Sequence, residues 1–272
     1  MESTPSATRI QATPARVETH NFNDWTIRCC ASHILPSKCS GSCFENEPCV
    51  FCRFSKELPS PHLPEMVFPY NLLEVQHKSG CCISFNALDA LKRLKSENLS
   101  LKIACSEAWK QARADTGLVS KTIGDHDWTF QTDYNGTYAN WPKKEYSDTG
   151  IDMEVLKKRD RIDLYRDVML FEDELHDNGV AVNNVRIRVM PSGFFILLRY
   201  FLRVDGVLIM ANETRVYHDF STDHVVVETS HRENKVEELK LQVPLSMMTE
   251  PDEVTPLLTL RQFTCEKLTL PS

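Results

Sequence analysis

An α+β fold, mainly antiparallel β-sheet in a sandwich-like body with several short flanking helices, follows from three features of the 272-residue chain. Over Val185–Met190, apolar Val185, Ile187 and Val189 alternate with Arg186 and Arg188, the mark of a half-buried strand. Phe194–Val204 is a mostly apolar run, as expected of a strand near the centre of a sheet. Asp205-Gly206 then joins that run to Val207–Met210, a strong hairpin signal. Strands linked by tight turns, with only short helical patterns between them, give antiparallel sheet with helices at its edges.

The remaining elements fall into place around these three. Residues 1–21 are rich in Ser, Thr, Pro and Arg without apolar periodicity and read as a disordered N-terminal tail. A single domain then spans 22–272, with Phe22, Trp25, Ile27 and Ile34 anchoring a first strand. Residues 36–62 hold prolines, serines, glycine and four cysteines and read as a loop or insertion, so the globular body resumes near Leu63. Val67–Gln76 is strand-like, interrupted by Pro69, and Cys82–Phe85 is a short strand. Asn86 can cap a helix over 87–95, whose Leu88, Leu91 and Leu94 form one stripe. Leu101–Gln111 reads as strand into helix, and Asp127–Tyr138 as strand ending in an Asn-Gly turn. Asp152–Arg159, acidic at its start and basic at its end, suits a helix. Leu164–Leu175 fits both periods and reads as strand or mixed structure. Thr214–Tyr217 and His224–Thr229 continue the meander, Arg232–Leu241 is a charged helix, and a last short strand covers Phe263–Leu270.

Composition narrows the function. Lys plus Arg number 31 against 38 Asp plus Glu, a net charge of -7, so nucleic acid is not an expected partner, because binding its backbone needs a positive field. No apolar stretch approaches ~18 residues, and the polar N-terminus has no signal core, so no membrane association is expected and the protein should be cytoplasmic or nuclear. The Asn-x-Ser/Thr matches at Asn98, Asn135 and Asn212 are then chance patterns, and the 10 cysteines mostly reduced thiols. Walker A, dinucleotide-binding, nucleophile-elbow and His-Glu-x-x-His motifs are all missing, which argues against an enzyme.

Three clusters remain. Cys39, Cys43, Cys49 and Cys52, with His33 and His62 nearby, have the ligands for tetrahedral zinc, but paired Cys-x2-Cys knuckles are lacking, and the spacing favours a flexible insertion. In the adjacent pairs Cys29-Cys30 and Cys81-Cys82, one cysteine of each should face the core. Glu172, Asp173, Glu174, His176 and Asp177 could hold a divalent metal or act as acid and base, though a solvated acidic turn accounts for them better. Arg186 and Arg188 share one strand face, and Arg199 and Arg203 a face of the next; they either line a groove for an acidic peptide or pair with neighbouring carboxylates. Trp109, Trp128, Phe194 and Phe195 read as core, and the scattered His77, His126, His218 and His224 as structural.

The segments LPEMVF (63–68), QHKSG (76–80), FNALDAL (85–91), DWTFQTDYNGT (127–137), LFEDELHDNGV (170–180), VRIRVMPSGFFILLRYFLRVDGVLI (185–209) and CEKLTLP (265–271) together resemble the TIP-forty-one-like (TIPRL) family, regulators of type 2A protein phosphatases in TOR signalling. The likeness runs in order from about residue 22 to 271, and residues 36–62 depart from it. It implies a non-enzymatic binding protein; no cofactor or metal is expected, and nothing in the sequence requires more than a monomer. Its partners would be the catalytic subunits of phosphatases 2A, 4 and 6, which it would inhibit or hold latent. It also implies a partner-contacting surface that includes Asp89, Ile151 and the loop after the Val-Leu-Ile strand. Here that loop reads Met210-Ala211-Asn212-Glu213-Thr214-Arg215, with Ala211 and Glu213 as contact residues, and it departs from the family's Arg-Met-Asn-Asp-Thr-Arg pattern. Arg186, Arg188, Arg199 and Arg203 are then candidates to line the groove for the phosphatase's C-terminal tail. The alternatives to this regulator are a zinc-stabilised interaction module and a metal-dependent hydrolase using Glu172, Asp173, His176 and Asp177.

Overall fold

The computed structural model describes residues 16–39, 41, 43, 48–58, 63–94, 129–175, 177–240 and 243–271. Two antiparallel sheets face each other. The smaller has the order β1-β2-β4-β5-β6, from β1 (Arg16–Phe22), β2 (Trp25–Ala31), β4 (Leu72–His77), β5 (Cys82–Asn86) and β6 (Thr137–Ala139). The larger has the order β3-β8-β9-β10-β11-β12-β13-β7. Its central strands β8 (Leu164–Asp173), β9 (Gly179–Met190), β10 (Gly193–Val204), β11 (Leu208–Asp219) and β12 (His224–Lys235) form a continuous meander. β3 (Met66–Val67), β7 (Lys143–Tyr146) and β13 (Leu260–Thr269) complete it.

Alternation along the strands builds the core. Val185, Ile187 and Val189 of β9 and Phe194, Ile196, Leu198, Tyr200 and Leu202 of β10 point inward, onto Trp25, Ile27, Leu73, Val75, Ile83 and Phe85 of the smaller sheet. Trp25 meets the Phe194 ring edge-on with centroids 5.1 Å apart. The hairpin at Asp205-Gly206 forms as expected, with Gly206 at φ 74°. Gly179 and Gly193 lie where a Cβ would strike the carbonyl oxygens of Arg203 and His218, so close strand approach requires glycine at both.

The outer face of the large sheet is covered in two places. Phe201, Ile209 and Ala211 lie under the chain that holds α4 (Val236–Leu239), α5 (Leu245–Met248) and α6 (Pro251–Val254), through Val236, Leu239, Met248 and Val254. Met190, Val226 and Cys265 lie under Ile151 and Leu156, the latter on α3 (Met153–Lys157). No helix among the described residues is long and apolar enough to cross a membrane.

The structure moves several expected boundaries. β1 already includes Arg16–Asn21, expected as part of the tail: it pairs along its whole length with β2 through a turn at Asn23, φ 50°, so backbone pairing rather than apolar pattern holds it. Ile34, expected as an anchor, is exposed, while Leu35 is buried. Residues 36–62 contain a helix, α1 (Val50–Glu57), whose Phe54 reaches the core. Pro69 splits the expected 67–76 strand into β3 and β4. From residue 129 on, the aromatic run makes one antiparallel bridge, Thr132 to Leu94, and strand begins only at Thr137; Phe130 has a left-handed backbone (φ 55°) and a buried ring. β12 continues to Lys235, paired with Leu208, so the charged helix expected from Arg232 shrinks to Val236–Leu239. The helix capped by Asn86 is present as α2 (Ala87–Lys92), and both Cys29 and Cys30 are buried rather than one. Leu101–Gln111, Trp109, His126 and Trp128 lie outside the described residues.

Candidate functional site

Asp89 stands at the first turn of α2, where Asn86 caps the helix by accepting the Asp89 amide at 2.9 Å. The Asn86 side-chain amide returns a bond to Asp89 Oδ2 at 2.8 Å, and Thr137 Oγ1 donates to the same oxygen at 2.9 Å. Oδ1 receives no bond from the described residues, so a fixed carboxylate presents one open acceptor. Beside it, Tyr134 donates its hydroxyl to the Ser84 carbonyl at 3.1 Å, and burial pushes that hydroxyl's pKa up to about 12. Tyr134 also walls a cleft of about 240 Å³ with Asp133, Asn135, Asn212, His231 and Gln262. Asn212 ties the cleft floor together: it donates to the Thr132 carbonyl at 2.9 Å and lies 2.6 Å from His231 Nδ1. Asp89 Oδ1 is thus an acceptor suited to a basic, hydrogen-bond-donating partner.

The other expected contact residues are less accessible. Met210–Arg215 is not a loop but the middle of β11, because β11 pairs without a break to β10 and β12. Ala211 is fully buried under the α4–α6 segment. Glu213 is buried, with Arg199 on Oε1 at 2.7 Å and Arg215 on Oε2 at 2.7 Å, so neither oxygen is left for a partner. Ile151 is buried as well; its amide donates to Glu228 Oε1 at 2.7 Å.

All four arginines of the expected row share the outer face of the large sheet, and each has a partner within the chain. Arg186 bridges Asp167 at 2.8 Å and Asp252 at 2.8 Å. Arg199 binds Glu213 and also Asp252, at 2.5 Å. Arg188 donates to the Leu156 carbonyl at 3.0 Å, and Arg203 lies 2.9 Å from Asp205. Arg186, Arg199 and Arg203 thus pair with carboxylates, Asp252 of α6 being shared by the first two, while Arg188 pairs with a backbone carbonyl.

The acidic cluster does not gather into a metal site among the described residues. Asp173 is buried and accepts the amides of Glu65 at 3.0 Å and Leu175 at 2.7 Å, a turn-forming role. Burial, then the charge of Glu174, raises the pKa of Glu172. His176 lies outside the described residues. The cysteines differ. Spacing favoured a flexible insertion, yet the sulfurs of Cys39, Cys43, Cys49 and Cys52 all lie within 4.8 Å of one another. The spacing did not show this because it gives loop lengths and not the α1 helix, whose start brings the sulfurs of Cys49 and Cys52 toward those of Cys39 and Cys43.

A family model described as "TIP41-like family" matches residues 66–240. The human "TIP41-like protein" is 42% identical over 253 residues, covering 92% of this chain and 89% of the relative. The rat protein of the same name is 41% identical over 254 residues, with the same coverage. The "Type 2A phosphatase activator TIP41" of Saccharomyces cerevisiae is 33% identical over 249 residues, covering 85% of this chain and 67% of the relative.

Proposed function

Since the chain belongs to the TIP41-like family, we propose that it is a non-enzymatic regulator that binds the catalytic subunits of type 2A protein phosphatases. Its partners on this reading are the 2A, 4 and 6 types. It acts as a cytoplasmic monomer within TOR signalling and holds the bound catalytic subunit in a latent state by preferring one conformation of it. The observation that carries the reading is the family match together with the phosphatase named for the yeast relative. That name says activator. A factor that holds and then delivers a latent subunit raises phosphatase activity in a cell, yet lowers it in a two-component assay.

Asp89 and the adjoining cleft are the proposed contact, through the open carboxylate oxygen and the amide-rich wall. On this reading the arginine row reaches the phosphatase's C-terminal tail after Asp252 is displaced. The test is a titration of purified protein into purified phosphatase 2A catalytic subunit, reading complex formation and activity together. Binding with loss of activity is expected. A charge-assisted hydrogen bond contributes about 1.5–3 kcal/mol, so Asp89→Leu should weaken binding at least about tenfold with secondary structure intact. Absence of binding to the 2A, 4 and 6 types alike would sink the proposal.

A further inference from the structure

We propose that Cys39, Cys43, Cys49 and Cys52 bind one zinc ion through four thiolates, a structural centre that ties Cys39 and Cys43 to the start of α1. The sulfurs already outline the ligand polyhedron. Cys39 and Cys43 are 3.1 Å apart, Cys43 and Cys52 3.6 Å, and Cys39 and Cys49 3.8 Å, and no pair exceeds 4.8 Å. A tetrahedron with zinc–sulfur bonds of about 2.3 Å has edges of about 3.8 Å. Small shifts of the sulfurs therefore complete it.

Simple packing does not account for this gathering. Cys29, Cys30, Cys81 and Cys265 are buried cysteines spread through the sheets, where a thiol acts as a small apolar side chain. The four clustered ones are only half-buried, and a thiol is a weak donor with little reason to seek three others. The nearest sulfurs stand well beyond the 2.03–2.05 Å of a disulfide.

The surroundings suit thiolates. The Gly41 amide donates to Cys39 Sγ at 3.3 Å, from a backbone at φ 76° that glycine adopts without strain. The Cys49 amide bonds to Cys43 Sγ. Such outer bonds orient ligands and favour the charged sulfur. Cys49 is the N-cap of the eight-residue α1, and Cys52 lies in its first turn, so the positive end of the helix faces the site.

The segment also needs a fastening. Leu35, Phe54 and Leu58 enter the core, and Glu57 pairs with Lys92 of α2 at 2.7 Å. Between Ala31 and α1 the described residues contain no strand or helix. Metal ligation adds a second fastening to the burial of these three side chains. Binding converts four thiols and Zn²⁺ into the tetrathiolate complex and releases four protons to solvent.

The full-length protein, purified under reducing conditions without chelator, should carry about one zinc per chain by elemental analysis. The Cys49→Ser, Cys52→Ser double variant should carry almost none, while a Cys82→Ser control keeps the metal. After chelator treatment, wild type should bind cobalt with the visible absorption of a tetrahedral thiolate site, and zinc should displace it. Because Phe54 and Leu58 still dock without metal, the double variant should keep its far-ultraviolet spectrum, so metal loss can be told from unfolding. Protein that arrives without zinc and binds neither added zinc nor cobalt would overturn the proposal. So would iron in its place, disulfides among the four cysteines under reductant, or zinc retained by the double variant.

Discussion

The two faces of the large sheet are built from the same strands but held by different forces. On the inner face, Val185, Ile187, Phe194, Ile196, Leu198 and Leu202 make one continuous apolar layer against the smaller sheet. On the outer face, an ionic strip of Arg186, Arg199, Glu213 and Asp252 separates two apolar patches, each covered by a short segment from elsewhere in the chain. A face fixed by burial depends on shape and volume; a face fixed by charge depends on every partner being present. The inner face should therefore respond to cavities, and the outer face to unpaired charge.

The largest effect should come from the inner face. Phe194→Ala removes a fully buried ring that packs on Trp25 and leaves a cavity between the sheets. It should cost about 3–5 kcal/mol, seen as a lower urea midpoint with an unchanged slope. A loss below 1 kcal/mol would mean that the two sheets are not packed as one core.

The outer face should follow closely. Arg199→Met leaves Glu213 buried with only Arg215, and should cost about 3 kcal/mol. Adding Glu213→Leu removes the stranded charge, and the double variant should regain most of that loss. Equal, additive losses in the cycle would show that the pair is not coupled.

This contrast also explains what could be read before the structure. The β9 and β10 alternation, the Asp205-Gly206 hairpin and the Asn86 cap were legible because each rests on residues within a few positions of one another. The arginine row was legible as a row for the same reason. Its partners were not, because Asp252 lies 53 residues beyond Arg199 in a proline-bounded segment with no pattern of its own. Asp89 was nameable from its motif, but its support by Thr137, 48 residues away, depends on β6 pairing with β5. Met210–Arg215 was misplaced as a loop because the polar Asn212, Glu213 and Arg215 conceal a strand whose polar side chains all find partners. The four-cysteine cluster was visible as spacing, and only the folded loop and α1 converge it.

The inner face buries a histidine among its aromatic rings. His218 is buried between Trp25 and Phe194, with Nδ1 2.8 Å from the His224 carbonyl. Burial lowers its pKa below the ordinary 6.5, and burial lowers that of neighbouring His77 too. A histidine held neutral in the fold binds its proton more readily when unfolded. Its contribution to stability is thus complete above pH 6.5 and is lost as pH falls from there through the folded value. Each such group changes stability by at most about 1.4 kcal/mol per pH unit. Urea midpoints between pH 7 and pH 5 should fall, and His218→Phe should flatten the slope. An unchanged slope would assign the acid sensitivity to His77 or to the carboxylates.

The smallest effect should come from the hinge between the two ways of holding a face. Asp252 is largely exposed, yet it takes both Arg186 and Arg199. Burial works to raise its pKa, but the Arg199 and Arg186 hydrogen bonds outweigh it and hold the carboxyl below the usual range. Exposed pairs contribute little, and Asp252→Ser should lower stability by no more than about 1 kcal/mol. It should also leave two guanidiniums on an ordered strand pair with no bridging carboxylate. If the outer face serves as the groove for an acidic phosphatase tail, this variant should bind a tail peptide more tightly than wild type, and high salt should remove the difference. Unchanged peptide affinity would assign the arginine row wholly to internal pairing and leave Asp89 and its cleft as the contact to pursue.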